Sequence, residues 1–415
     1  MLIGKLTLRL LIVSQYFWPE SFRIVDVVKT LSEKGMKVEI LTGKPNYPQG
    51  EIFDGYKASG CQRETRDGNE VHRIPLMPRG RSGVRLALNY LSFIFSGMVF
   101  GPWMLRGKKF DVIFVYAPSP ILQALPAIFL GWLKGCPVVL WVQDLWPESL
   151  SATGHIKNKR VLKFVEAIVR YIYRKVDLLL VQSEAFVAPV SALASGTPVR
   201  YFPNSVDDSF SSPSTGSGLE IAGMDASFSV LFAGNIGTAQ AVEVIVDAAV
   251  LLREHSAIQF VVVGDGSRRE WMAQQVLEHG LTNLHLPGRF PIETMPGLMQ
   301  KASALLVTLA DQEIFRHTIP SKIQAYLAAG RPILASLDGE GAKLISDANA
   351  GVAVPAEDSA ALASAVLQMY QSLPDERKKM GVNGAAYFKQ HFEHDMLVDR
   401  LITILDSCVA DKKGN

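Results

Sequence analysis

Four short segments combine residue types suited to holding a phosphate. Phe232-Ala-Gly-Asn-Ile-Gly237 follows an apolar run directly and precedes a helical pattern. Gly234, Asn235 and Gly237 are small there, so backbone N–H groups can approach an anion at a helix N-terminus. Val263-Gly-Asp-Gly266, with Gly264, is a second glycine turn after an apolar run, and Leu286-Pro-Gly-Arg-Phe290, with Arg289 and Phe290, is a third such segment. Ile319–Gly330 reads as a helix with Ser321 at a capping position and Lys322 in its first turn. There, dipole and ammonium act on the same anion. Each glycine turn taken alone is equally a tight strand–helix connection.

A second group offers proton-transfer chemistry. Asp144 and Glu148 lie in Gln143-Asp-Leu-Trp-Pro-Glu-Ser149, Glu20 in Tyr16-Phe-Trp-Pro-Glu-Ser21, and His317 just before the lysine helix. Asp144 follows the run Val138–Val142 and is read as a catalytic carboxylate, with helix capping as its alternative. Glu148 after Pro147 is also a first-turn acid that a helix dipole favours. His317 is balanced between a sugar contact and an exposed loop residue.

These residues need a scaffold that ends strands beside helix starts. Runs at Leu8–Val13, Val38–Leu41, Val112–Tyr116, Val138–Val142, Leu178–Val181 and Val199–Phe202 are mostly continuously apolar, as are Val230–Phe232, Phe260–Val263, Ala304–Leu309, Pro332–Ala335 and Gly351–Val354. That is the signature of parallel strands covered on both faces. Helical stripes between them include Ile24, Val27, Val28 and Leu31, and Val242, Ile245, Val246, Ala249 and Leu252. The β-α-β rhythm predicts two doubly wound α/β domains, each binding ligands beyond its strand carboxyl ends, and so facing each other across a cleft. The expected division is 1–208, a Ser- and Gly-rich linker 209–226, 227–393, and a C-terminal helix 394–415.

The 415 residues carry a net charge of +2, and 48% are hydrophobic. Residues 1–205 hold 26 Lys+Arg against 15 Asp+Glu (+11), and the remainder 16 against 25 (−9). A basic half points to an anionic surface or substrate. Without an RNA-type aromatic motif, nucleic acid ranks last. The three cysteines, Cys61, Cys136 and Cys408, form no CxxC pair, which argues against a zinc site or a disulfide framework and for a reduced, cytoplasmic compartment. Leu86–Leu105 contains no charged residue and is flanked by Arg79, Arg81, Arg85, Arg106, Lys108 and Lys109. It fits a buried helix or a partly inserted one. A true span would split the sheet across the bilayer. Lys157–Lys175, with Lys159, Arg160 and Lys163, is a basic amphipathic helix, suited to anionic bilayers or to a core helix with a solvated basic face.

The order of these motifs, with Thr42-Gly-Lys-Pro-Asn-Tyr-Pro48, resembles glycosyltransferase family 4 and its glycosyltransferase B fold, over nearly the whole chain. The nearest branch is similar to the L-fucosamine transferases of O-antigen and capsule synthesis. The resemblance implies a UDP-sugar donor, with no metal or cofactor. Its diphosphate would lie at Gly234–Gly237 and Lys322, and its base near Arg289 and Phe290. It also implies retention of anomeric configuration and a polyprenyl-diphosphate-linked saccharide acceptor. Arg85, Lys159, Arg160 and Lys163 would face the inner membrane surface. The sequence departs from the family pattern. Asn235 and Gln240 stand where the family has an arginine and a lysine, His317 and Ala325 where it has two glutamates, and Gln143 where it has a histidine. Glu340 is the substitute for the lost ribose contact. Two other readings are a UDP-sugar epimerase on the same fold and a non-catalytic scaffold for polysaccharide assembly. The missing glutamates favour the scaffold, and Lys322 and the glycine loops oppose it.

Overall fold

A computed structural model describes residues 8–80, 82–152, 158–206, 220–225 and 228–414. Arg81, Lys157 and most of the expected linker lie outside them. The chain forms two compact units, Met1–Pro203 with Asp395–Asn415, and Asn204–His394.

The first unit is built on eight strands: β1 (Arg9–Val13), β2 (Lys37–Thr42), β3 (Gln62–Arg66), β4 (Asn69–Arg73), β5 (Val112–Ala117), β6 (Val138–Val142), β7 (Leu178–Val181) and β8 (Val199–Tyr201). Their order is β3-β4-β2-β1-β5-β6-β7-β8. All pairs are parallel except β3–β4. Each of the apolar runs becomes a strand, because β5, β6 and β7 are buried at every position. The β3–β4 hairpin is an addition. It turns at Asp67-Gly68, both with positive φ, as a two-residue hairpin turn requires. Chain order reverses between β1 and β5, the place where doubly wound sheets bind ligands.

The Gly83–Met104 helix packs one face on this unit through Asn89, Phe93, Ser96, Gly97, Gly101 and Met104. A Cβ at Gly97 would stand 2.7 Å from Pro126, so this helix touches the Ala124–Lys134 helix closely there. The expected choice between a buried and an inserted helix resolves into neither alone. Most of the helix is not buried, and Leu91 (57% exposed) and Phe95 (68%) point outward. The C-terminal helix, His394–Gly414, belongs to this unit. Leu397, Val398, Leu401 and Leu405 share a core with Leu10, Ile12, Phe114 and Trp141, and Lys412 Nζ lies 2.6 Å from Asp177.

The second unit holds six parallel strands: β9 (Phe228–Ala233), β10 (Ile258–Val263), β11 (Leu284–Gly288), β12 (Ala304–Thr308), β13 (Ile333–Ser336) and β14 (Gly351–Val354). Their order is β11-β10-β9-β12-β13-β14. Here the reversal falls between β9 and β12. The Gly234 loop follows β9. The segment after β12 leads into the Ser321–Ala329 helix.

Candidate active site

At the carboxyl edge of the second sheet, the glycine loops are stitched backbone to backbone. Gly234 N–H donates to Val263 O (2.9 Å), Ile236 N–H to Asp265 O (2.9 Å) and Gly264 N–H to Gly288 O (2.9 Å). Gly264 has φ +148°, and a Cβ there would collide with Gly234 O. Gly266 likewise lies directly on Ile236 O. Only glycine permits both this backbone conformation and this approach.

The Ser321–Ala329 helix is fixed above the loops by Tyr326. Its hydroxyl accepts from Ala233 N–H (3.1 Å) and donates to Leu306 O (3.2 Å), tying the helix to β9 and β12 at the point of reversal. One turn earlier, Lys322 therefore reaches Gly234: a Cβ on that glycine would stand 3.1 Å from Lys322 Nζ. The ammonium lies 3.6 Å from the Phe232 ring centroid. It is buried and has no hydrogen-bond partner among the described residues. Burial alone pulls its pKa from 10.5 down to about 7. A buried ammonium beside loop backbone, with no carboxylate partner among the described residues, has the chemistry to hold an anion.

Other expected donor contacts stand at the same edge. Arg289 is exposed just after β11, and Phe290 packs its ring against the core. Glu340 opens the Glu340–Asp347 helix. Gly339, before it, lies on the backbone of Arg316, which brings Glu340 towards His317. Gly341 packs on Pro320 and Ile323. Asn235 Nδ2 donates to Gln240 Oε1 (2.9 Å), so these two side chains brace the loop. Ser321 is corrected in one respect: Pro320 is the N-cap and Ser321 the first helical residue, with no side-chain cap bond. The reason is local, because Pro320 supplies the extended φ/ψ that precedes a helix. Ala325 is buried in the core, where it makes no polar contact.

In the first unit, Asp144 follows β6 at the carboxyl edge, as expected. Burial raises its pKa to about 6, against the Ser149 and Trp146 side chains and the Leu145 N–H, while Glu148 adds to the rise. Glu148 itself is exposed at the start of the Glu148–Ala152 helix. Glu20 is buried, and its carboxylate accepts from Asn46 N–H (2.8 Å), Tyr47 N–H (2.8 Å) and Phe17 N–H (3.2 Å). Burial nonetheless lifts its pKa to about 7. It therefore pins the loops after β1 and β2. Gln143 Nε2 is buried with no bonded partner among the described residues.

Sequence reasoning missed Tyr90 and gave Arg79 no role beyond a basic flank. Tyr90 lies on the long apolar helix and hydrogen-bonds the Ser119 side chain. Burial raises its pKa, Arg79 opposes the rise and Asp144 adds to it. The available signal was Asn89-Tyr90, a polar interruption of a charge-free stretch. Lys159, Arg160 and Lys163 are exposed on the Lys159–Lys175 helix, and Arg85 is exposed at the start of the long helix.

Two family models match in tandem. One is described as a glycosyl transferase 4-like domain, over residues 21–205, and the other as glycosyl transferases group 1, over residues 227–372. Together they span most of the chain. The protein belongs to glycosyltransferase family 4. Its relatives include WcaI of Escherichia coli (strain K12), described as a colanic acid biosynthesis glycosyl transferase. It is 26% identical over 330 residues, 74% of this chain and 76% of WcaI. The Pseudomonas aeruginosa glycosyltransferase WbjE is 26% identical over 287 residues, 67% of this chain and 71% of WbjE. Among solved structures, a sucrose-phosphate synthase from Thermosynechococcus elongatus superposes with a TM-score of 0.73 at 15% identity, covering 97% of this chain and all of that one. Anabaena HepE in complex with UDP and glucose gives 0.66 at 14%, covering 96% and 100%. These likenesses establish the glycosyltransferase B fold.

Proposed function

We propose that this family 4 glycosyltransferase transfers a sugar from a UDP-sugar to a lipid-linked saccharide on the inner, cytoplasmic face of a membrane. The observation that carries the donor half is the buried, unpartnered Lys322 ammonium against Gly234 at the strand-order reversal. HepE, with the same fold, is solved with UDP, and an Escherichia coli structure with a TM-score of 0.71 is bound to UDP-2-fluoro glucose. The diphosphate would accept from the Gly234–Gly237 backbone and Lys322, with Arg289 and Phe290 beside the base and Glu340 towards the ribose.

In the transfer, the bond from the sugar C1 to the diphosphate oxygen breaks and a bond from C1 to the acceptor hydroxyl oxygen forms. The hydroxyl proton passes to the departing phosphate, on the face that retains configuration. The protein supplies position and charge: Lys322 and loop N–H groups stabilise the charge growing on the diphosphate. Asp144 orients the acceptor hydroxyl. With lysine and backbone holding the diphosphate, the proposal requires no metal. The exposed apolar face of the Gly83–Met104 helix and the basic Lys159–Lys175 helix support a lipid surface as the place of reaction. WcaI's colanic acid description supports a polysaccharide pathway. N-acetyl-L-fucosamine is the donor sugar that the branch resemblance suggests.

Calorimetry with UDP tests the donor site. Lys322→Ala should weaken binding by about 1.5–3 kcal/mol, the range for a hydrogen bond to a charged group. Unchanged affinity would displace the diphosphate from this site.

A further inference from the structure

Arg79 has an unusual setting in the first unit. It forms no ion pair among the described residues and lies against an aromatic ring. Its guanidinium lies 5.2 Å from the Tyr47 ring centroid, and its charge acts on the buried Tyr16 and Tyr90 hydroxyls. The position is fixed through the backbone: Arg79 N–H donates to Asn46 Oδ1 (3.0 Å). Asn46 in turn is held by Glu20. That Glu20 carboxylate is itself committed to three backbone N–H groups. Gly80 follows with φ +59°, and the Arg85 side chain lies across it where a Cβ would stand. Two guanidinium side chains thus flank one glycine.

Directly beyond Arg85 the Gly83–Met104 helix turns an apolar stripe to solvent. Val84, Leu88, Leu91, Phe95 and Val99 are all exposed, and their spacing of three, four and seven residues puts them on one face. The opposite face carries Asn89 and Phe93 into the unit. A fixed cation at one end of an apolar stripe about 20 Å long (some 15 residues at 1.5 Å each) complements an amphiphilic anion. Tyr90, five residues on from Arg85, hydrogen-bonds the Ser119 side chain.

We infer that Arg79, seconded by Arg85, binds the phosphate of the lipid-linked acceptor, whose chain lies along the exposed stripe of the Gly83–Met104 helix. This rests on the lipid-linked acceptor proposed above and assigns its anchoring point. The phosphate then sits at the N-terminal end of the helix, beside the loop that Asn46 and Glu20 hold.

The experiment uses the full chain in saturating UDP, which occupies the Lys322 site and leaves the second anion site to be read. Farnesyl diphosphate, farnesol and inorganic pyrophosphate are titrated separately. Farnesyl diphosphate should bind at least tenfold more tightly than either. Arg79→Gln should weaken it about ten- to hundredfold, while UDP affinity stays within twofold. Phe95→Ser should weaken farnesyl diphosphate but not pyrophosphate. If the wild-type chain binds UDP yet gains nothing from farnesyl diphosphate over pyrophosphate, this inference fails and the donor reading stands; failure of UDP to bind overturns the donor reading itself. Unchanged farnesyl diphosphate binding by Arg79→Gln overturns the assignment. So does an equal loss of its binding to phosphatidylglycerol vesicles, because the site would then be one for bulk headgroups. Should Arg79→Gln lower the melting temperature, Arg79→Lys, which keeps the charge, must restore at least part of the affinity, or the role is structural.

Discussion

Raising the pH should switch off donor binding through Lys322. Its pKa falls from 10.5 to about 7 with burial as the sole cause, so no charged neighbour compensates the ammonium. The sign follows from linkage. In the unliganded fold the ammonium is present below pH 7 and lost above it. A bound diphosphate favours the charged form, so binding above pH 7 takes up a proton. Between pH 7.5 and 9, UDP affinity should fall by nearly tenfold per pH unit, with an uptake approaching one proton per UDP. The phosphate of UDP, with a second pKa near 6, is already fully ionised there and adds nothing. The same shift has a stability consequence. Over 3.5 units, at about 1.4 kcal/mol each, the buried ammonium costs roughly 5 kcal/mol at pH 6.5. The unfolded chain holds this proton up to pH 10.5, so the group's contribution makes the unliganded fold more stable as pH rises from 7 to 10.5. Lys322→Met should remove the cost, raising the melting temperature at pH 6.5 and flattening its pH dependence. Calorimetry in buffers of different ionisation enthalpy reads the proton uptake directly. Constant UDP affinity from pH 7.5 to 9 with no proton uptake would refute the uncompensated-ammonium account.

Three further outcomes follow from the same geometry. Asp144→Asn should cut transfer about a hundredfold or more with little change in melting or UDP affinity, and the wild-type rate should decline below about pH 6, where the carboxylate with its raised pKa takes up a proton. A pH–rate profile with no acid limb near 6 would leave Asp144 a helix cap. Glu20→Ala strands three backbone N–H groups, so urea unfolding should show a loss of more than about 2 kcal/mol with UDP affinity preserved; a neutral effect would mean that the carboxylate does not pin these loops. Anionic vesicles should sediment the protein in a salt-sensitive way, and Lys159→Glu with Lys163→Glu should weaken this, at about 1 kcal/mol per charge near the surface; equal binding to neutral vesicles would remove the electrostatic part.

The fold was legible wherever strands are continuously apolar, because β5, β6, β9 and β12 are buried on both faces and leave no period to confuse. The β3–β4 hairpin escaped notice because β3 is an exposed, polar edge strand and β4 buries His72 and Arg73 beside a single aliphatic residue, Val71, so neither is an apolar run. The placement of the C-terminal helix was also hidden: Leu397, Leu401 and Leu405 mark an apolar face, and nothing in a face names the core that covers it. At the site, Gly234 and Gly264 were visible as types at strand ends, and Lys322 as one in a helix's first turn. That Lys322 has no partner was not visible, because it depends on the absence of an acid in space. Glu20 showed the converse: a carboxylate in a loop looks catalytic until its three backbone donors are seen. Tyr90 was hidden inside a stretch whose low charge drew attention to membranes.

The central claim is UDP-sugar-dependent transfer at the Lys322 site, and product formation tests it most directly. The protein is incubated with a panel of UDP-sugars, including UDP-N-acetyl-L-fucosamine, and a membrane lipid extract, with and without a chelator. New lipid-linked sugar should form with one donor in the panel. It should persist in chelator and fall at least tenfold in Lys322→Ala. Transfer at the wild-type rate by Lys322→Ala, or no product from any UDP-sugar by a chain that binds UDP, would contradict the account.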